Sequence, residues 1–417
     1  MLRAGGQVLA IRLVAILLQF GFVWYISTYL GDSVYGDFVI YLMITQFVGT
    51  MANLGLDVLI VKKIGAINPI DNRYNTKLVR SMSFVGVSLS VVLTFILITL
   101  LHTFVPDYLP DLPMWTYLVG ASFYGLMRLL VEFYRSIRWI TLSTILAYLI
   151  APMIAIIILW MIKAPEGALY ALVVTWIIAM SFVLICAILI KWFYPWSKTE
   201  SSPKLESTKS LIFLSFPFLM TLFLVFLNGW VDKMVLRFYI ESDVLGQYFV
   251  AYRLAAMVFL PLMAFNTLLA PRISEAFQNE QSSSQLRSII WDVLRWAMLF
   301  ASIGFVLFVL IGKYVLGIFS EQHVLMYPVL LILSFGQLVN VAAGPVGVVM
   351  KMTKLQTLYA KVMGASVLVN FILNIILIPR FGVYGAAIAS AVGLICINIG
   401  AWWLCKQRLG VSTGVIG

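Results

Sequence analysis

The residues of this chain that could do chemistry are the few charges and amides set inside long apolar runs. A charge at the centre of a bilayer costs roughly 2.5–3.5 kcal/mol on insertion scales, so each one needs a partner or water. Arg253 lies about two turns inside its run, roughly 10 Å from the outer end at 1.5 Å per residue. That is deep for a surface charge and suits a wet, anion-attracting cavity. Asn228 and Asp232 are four residues apart and share a helical face. They could bind a polar group or pack at a helix end. Lys233 follows and is expected to snorkel outwards, with Arg237 one turn on. Arg12 stands early in the first run, as a binding cation or as an inner-face anchor. Asp57, late in the second run, is expected to neutralise Lys62 or a neighbouring helix end. Arg128 and Glu132, four apart, are expected to pair with each other, as a structural ion pair or as a gating or coupling pair. The candidates thus fall into two sets: Arg253, Arg12, Asn228 and Asp232 for binding; Asp57, Arg128, Glu132 and Arg237 for gating or coupling.

Other chemistries find no residues to run them. There is no Gly-rich phosphate loop ending in Lys-Ser/Thr, so ATP hydrolysis is not expected. His102 and His323 make neither a metal site nor a catalytic pair. Cys186, Cys396 and Cys405 show neither disulfide nor metal spacing. No cofactor, metal or enzyme activity is expected.

The elements that must position these residues follow from composition. Of the 417 residues, 62% are hydrophobic and 11% charged. Average globular proteins are roughly 45–50% apolar and about 25% charged. A water-soluble fold could not hide so much apolar surface. In lipid only helices or closed barrels satisfy the backbone. The runs are about 20 residues long without period-two alternation, so helices win. The sequence predicts an all-α polytopic membrane protein with about twelve transmembrane helices. They cover residues 8–30, 36–61, 78–102, 115–134, 140–162, 168–190, 211–231, 246–270, 289–316, 327–350, 358–378 and 385–404. Pro152, Pro217, Pro261, Pro328 and Pro345 fall in or near these spans and could bend them. The net charge of +11 is scattered at span ends, so it points to a membrane and not to nucleic acid. Lysines and arginines gather in alternate loops, which predicts that both termini are cytoplasmic.

The chain also echoes itself. Tyr29-Leu-Gly-Asp-Ser-Val-Tyr-Gly36-Asp-Phe38 is matched by Tyr239-Ile-Glu-Ser-Asp-Val-Leu-Gly246-Gln-Tyr248. Gly167-Ala-Leu-Tyr-Ala171 is matched by Gly385-Ala-Ala-Ile-Ala389. Two six-helix lobes in the same orientation would explain this: residues 1–195 and 211–417, joined by a polar cytoplasmic linker at 196–210. Such parallel repeats are related by an axis along the membrane normal.

At these segments the chain resembles a known family. LLQFGFVWYISTYLGDSVYGDFVIYLMITQFVGTMANLGLDVLIVKK, NGWVDKMVLRFYIESDVLGQYFVAYRLA, LAPRISEAF and IPRFGVYGAAIAS are similar to segments of polysaccharide transporters. These belong to the multidrug/oligosaccharidyl-lipid/polysaccharide exporter superfamily, whose O-antigen flippases look nearest. The resemblance implies a V of two bundles around a central cavity in a bacterial inner membrane. It implies an undecaprenyl-pyrophosphate-linked oligosaccharide as substrate, flipped by alternating access. Implied partners are that substrate, membrane lipids, a polysaccharide polymerase and a chain-length regulator. The alternatives are a drug or cation exporter of the same superfamily, which would want net acidic residues in its cavity, and a membrane-embedded glycan-assembly enzyme.

Overall fold

The computed structural model describes residues 2–66, 72–162, 168–193, 207–278, 283–353, 355–411 and 413–414. Among these residues every regular element is helical. Two compact units divide the chain, Met1–Phe226 and Leu227–Gly417. The division falls inside a helix, past the polar linker expected at 196–210. Most of that linker, and Gly167 of the second echo, lie outside the described residues.

The first unit opens with α1 (Leu2–Tyr25), which widens into a π turn over Ile26–Leu30. It continues through α2 (Asp32–Ala52), α3 (Leu56–Ala66), α4 (Asn72–Phe104) and α5 (Met114–Ser136). It then runs through α6 (Ile140–Tyr148), α7 (Ile150–Ile162), α8 (Ala168–Phe193) and the first two-thirds of α9 (Thr208–Leu236). The core helix is α2, which is 72% buried along its span, whereas the Leu78–Phe104 span of α4 is 22% buried. Such a difference sorts protein-facing from lipid-facing helices. On α2 the buried residues include Tyr35, Phe38, Tyr41 and Thr45. Phe22 and Trp176 close over Phe38, with ring centroids 6.0 and 5.8 Å from it. Phe84, Phe95 and Phe104 of α4 stay exposed, as lipid allows.

The second unit holds the end of α9, α10 (Ser242–Ala256), α11 (Leu260–Gln278), α12 (Ser283–Gly317), α13 (Tyr327–Ala343), α14 (Val346–Met352) and α15 (Gln356–Leu409). Its base is an apolar cluster of Ile273, Ile290, Val349, Met350 and Cys405. At 54 residues α15 is too long for one crossing: about 20 residues span the hydrocarbon. Gly382, at φ 53° and ψ −129°, interrupts it. That conformation is open to glycine and closed to nearly all other residues. The described residues hold eleven helical segments long and apolar enough to cross a membrane, the last being all of α15. Divided at Gly382, it brings the crossings to the twelve expected.

Four expected spans prove to be interrupted, the fifth span at Leu149 between α6 and α7. The second breaks at Asn53–Gly55, with Leu54 at φ 50° and Gly55 at φ 78°. A Cβ on Gly55 would stand 2.6 Å from the Ser215 carbonyl oxygen of α9, so the break is also a close backbone approach. The eighth breaks at a 3-10 turn over Met257–Phe259, and the tenth at Gly344–Pro345. Apolar runs continue through all four, so hydrophobicity alone does not mark them. The prolines explain part of the pattern. Pro217 sits inside a helix, whereas Pro152, Pro261 and Pro328 occupy first turns and Pro345 caps α14. In a first turn the missing N–H leaves no helical bond unmade.

Candidate functional site

In the first unit the polar residues gather where α2 breaks. The Asn53 side-chain amide donates to the Gly125 carbonyl of α5 at 2.9 Å. One turn on, Asp57 is fully buried and accepts from Arg128 Nη2 at 2.6 Å and Nε at 2.9 Å. Glu132 instead accepts from Arg135 at 2.5 Å. Both sequence-based pairings are therefore corrected. Arg128 does not bridge Glu132, although the two share a helical face, and Asp57 pairs with Arg128 rather than Lys62, while its other oxygen accepts from the Val58 N–H at 3.0 Å in the first turn of α3, as the helix-end alternative expected. The reason is burial: Asp57 is 0% exposed and has the stronger need for a counter-charge. Arg12, in α1, is half-buried, and its Nε is enclosed without a hydrogen-bond partner.

This geometry makes an asymmetric prediction. Arg128 is 29% exposed and Asp57 is not exposed at all. Arg128→Ala strands a carboxylate away from water. Asp57→Ala leaves a guanidinium that is already partly exposed. Arg128→Ala should therefore cost about 3–5 kcal/mol of stability and Asp57→Ala clearly less. Thermal unfolding of the purified variants measures this, and the reverse order would show that Asp57 does not depend on Arg128.

In the second unit the sequence candidates lie on the last turns of α9 and along α10. Asp232 is 2% exposed and Lys233 1%. Lys233 Nζ lies 3.1 Å from Asp232 Oδ1 and donates to the Gly229 carbonyl at 2.9 Å. The Tyr252 ring lies beneath the ammonium, 3.2 Å away at its centroid. The other carboxylate oxygen of Asp232 accepts from the Tyr248 hydroxyl at 2.7 Å and from Ser390 at 2.9 Å. Lys233 thus does not snorkel. A carboxylate, a carbonyl and an aromatic face reward it for staying inside.

Arg253 is deeper than expected. It lies in the last turn of α10 and near the middle of the Ser242–Asn266 span. Its guanidinium stands 5.1 Å over the Phe249 ring, which Lys233 also faces at 5.9 Å. Phe249 in turn stacks between Trp230 and Tyr252, at 5.8 and 5.9 Å. One aromatic stack therefore carries two cations with one buried carboxylate. Arg237 stands apart, at the turn between α9 and α10, where it donates to the Ser242 hydroxyl.

Asn228 lines a cavity of about 220 Å³ with Tyr252, Gln337, Asn340, Asn370 and Ser390. The residues missed by sequence reasoning are on this wall. Ser390, Gln337, Asn340 and Asn370 are polar residues inside apolar spans, and the i,i+3 spacing of Gln337 and Asn340 and the i,i+4 spacing of Asn370 and Asn374 were signals that could have found the amides. Among the described residues no group of His, Cys, Asp and Glu could hold a metal ion.

A family model described as a polysaccharide biosynthesis protein matches residues 2–277. A probable low-salt glycan biosynthesis flippase of Haloferax volcanii, Agl15, is 25% identical over 218 residues, which is 51% of this chain and 46% of that protein. The chain thus spans less than half the length of that relative. Two solved structures share the fold. The lipid II flippase MurJ in an inward closed conformation superposes with a TM-score of 0.74 at 15% identity, over 95% of this chain and 87% of that one. An inward-facing MATE family multidrug resistance transporter of the MOP superfamily gives 0.71 at 13% identity, over 95% and 94%. Identities this low speak for fold alone, and the fold is that of the superfamily the motifs resemble.

Proposed function

The chain belongs to the polysaccharide biosynthesis protein family, and from that premise we propose that it is a secondary transporter that flips a lipid-linked oligosaccharide between membrane leaflets. The observation that carries this reading is Arg253, held at mid-span on an aromatic stack. A cation at that depth needs partners or water around it, and a span that accommodates one is suited to receive an anion. A lipid-linked glycan supplies the anion in its phosphate linkage and the polar bulk in its sugars. Neither crosses hydrocarbon unaided. The name of the Haloferax volcanii relative supports the same substrate class.

In its finer form the substrate is an undecaprenyl-pyrophosphate-linked repeat unit such as O-antigen. The membrane is then the bacterial inner membrane, with both termini cytoplasmic, and the motion is alternating access. A polymerase and a chain-length regulator would receive the product. The drug-exporter alternative shares the fold. It is disfavoured because Asp232, the acid beside the cavity, is already neutralised by Lys233.

Deleting the gene should abolish the cognate surface glycan while lipid-linked repeat units accumulate on the cytoplasmic leaflet. Mass spectrometry of extracted lipids reads the accumulation. If repeat units fail to be synthesised at all, the protein acts in assembly, and the transport reading is wrong.

A further inference from the structure

The cavity of the second unit has a chemical character that narrows what it holds. Its polar walls come from α9, α10, α13 and α15, within helices long and apolar enough to span the membrane. Amide groups there need partners that hydrocarbon cannot supply. At about 220 Å³ the cavity is far larger than the ~10–15 Å³ a single water needs. It is smaller than the roughly 300–1,000 Å³ of pockets that take drug-sized molecules. That is room for about one ring, with the rest of a longer ligand extending through the cavity's open side.

The hydrogen-bonding groups are of both signs. Asn340 donates to Gln337 Oε1 at 3.1 Å, which leaves the Gln337 amide N–H groups and the Asn340 carbonyl oxygen for a ligand. Asn370 Oδ1 accepts from Asn374 at 2.6 Å, which leaves the Asn370 amide N–H groups. Asn228 brings one donor group and one acceptor. An anion would want donors only and a cation acceptors only. A hydroxyl both donates and accepts, and so matches this mixed, uncharged wall. Tyr252 adds an aromatic surface for C–H groups.

Three residues belong to both the cavity and the ion pair. Gly229 accepts from Lys233, Tyr252 lies under it, and Ser390 donates to Asp232. The pair therefore fixes the Tyr252 ring and occupies the Ser390 hydroxyl proton. It pre-organises the wall without presenting net charge.

We propose that this cavity is a subsite for a single neutral sugar ring, with Tyr252 as its platform and Asn228, Gln337, Asn340 and Asn370 as its hydroxyl partners. The proposal rests on the lipid-linked-glycan reading and deepens it. It separates the recognition of sugar, in the second unit's cavity, from that of the phosphate linkage at Arg253.

The test uses the full chain in lipid nanodiscs, purified without any sugar-headgroup detergent. Saturation-transfer NMR is run with methyl glycosides of hexoses and N-acetylhexosamines, and with inorganic pyrophosphate and tetramethylammonium as charged probes. At least one glycoside should receive saturation. Asn340→Ala and Asn228→Ala should each weaken its binding by up to about tenfold. Tyr252→Ala should abolish it, and Tyr252→Phe should retain it. If Tyr252→Ala does not fold, the two amide variants, which do not touch the ion pair, carry the test. Absence of saturation for every glycoside, or binding unchanged in the amide variants, overturns the subsite. So does saturation of a charged probe alone. Glycoside binding needs neither a lipid carrier nor transport. Binding without accumulation in the deletion strain would sink the flippase reading and leave the subsite standing; accumulation without binding would do the reverse.

Discussion

Asp232→Ala should destabilise the protein by about 3–5 kcal/mol, among the largest single-residue effects outside the apolar core. The carboxylate is 2% exposed, and its removal leaves a 1%-exposed ammonium with no anion. The Gly229 carbonyl and the Tyr252 ring solvate that ammonium but do not neutralise it. Lys233→Met should be milder. Asp232 then keeps the Tyr248 and Ser390 hydroxyls as hydrogen-bond donors. The double variant should be more stable than the sum of the two losses predicts, with a coupling of about 1–3 kcal/mol. Thermal unfolding of the four proteins closes the cycle. Strict additivity would mean that the two charges do not stabilise each other, whatever their distance.

The second large effect is on transport. On the proposed flippase reading, Arg253 would offer a planar fork to two phosphate oxygens, where lysine offers a point charge. At equal membrane abundance, restoration of surface glycan should follow the order Arg253, Arg253→Lys, Arg253→Ala, Arg253→Glu. The last should be close to inactive, because it repels the anion. Stacking on Phe249 adds a prediction of its own: Phe249→Leu should lower transport while leaving the charge in place. Wild-type transport by both Arg253→Ala and Arg253→Glu would remove Arg253 from the substrate path.

Legibility in the sequence tracked the range of the interaction. Each of the twelve crossings is announced by its own apolar run, and all are found. The breaks at Asn53–Gly55 and Met257–Phe259 are not announced, because local hydropathy continues through them. The Arg128–Glu132 pairing failed because helical spacing sees only one helix. The counter-charge that prevails, Asp57, is 71 positions away on another. Lys233 misled in a different way. Adjacent residues on a helix point about 100° apart, yet its long stem reaches back to the Gly229 carbonyl and places the ammonium beside Asp232. Asn228, Asp232 and Arg253 were legible as single residues out of place in apolar surroundings. Their partners Ser390 and Asn370, on α15, become a wall only once the second unit is folded.

The two buried ion pairs also differ in when they can form during synthesis. Asp57 and Arg128 are separated by 71 positions, so Asp57 leaves the ribosome well before its partner exists. It lies in α3, outside the Asp32–Ala52 helix that is long enough to span, and can wait near the interface. Asp232 lies within the Lys209–Leu236 segment, in its last two turns. Its counter-ion is the very next residue. The pair closes with the Gly229 carbonyl inside α9 itself, before α10 or α15 has been made. Two charges that would each resist lateral release into lipid thus enter it as one neutral unit. Moving the lysine to a distant helix could preserve the folded contact and still leave α9 a poor substrate for the insertion machinery.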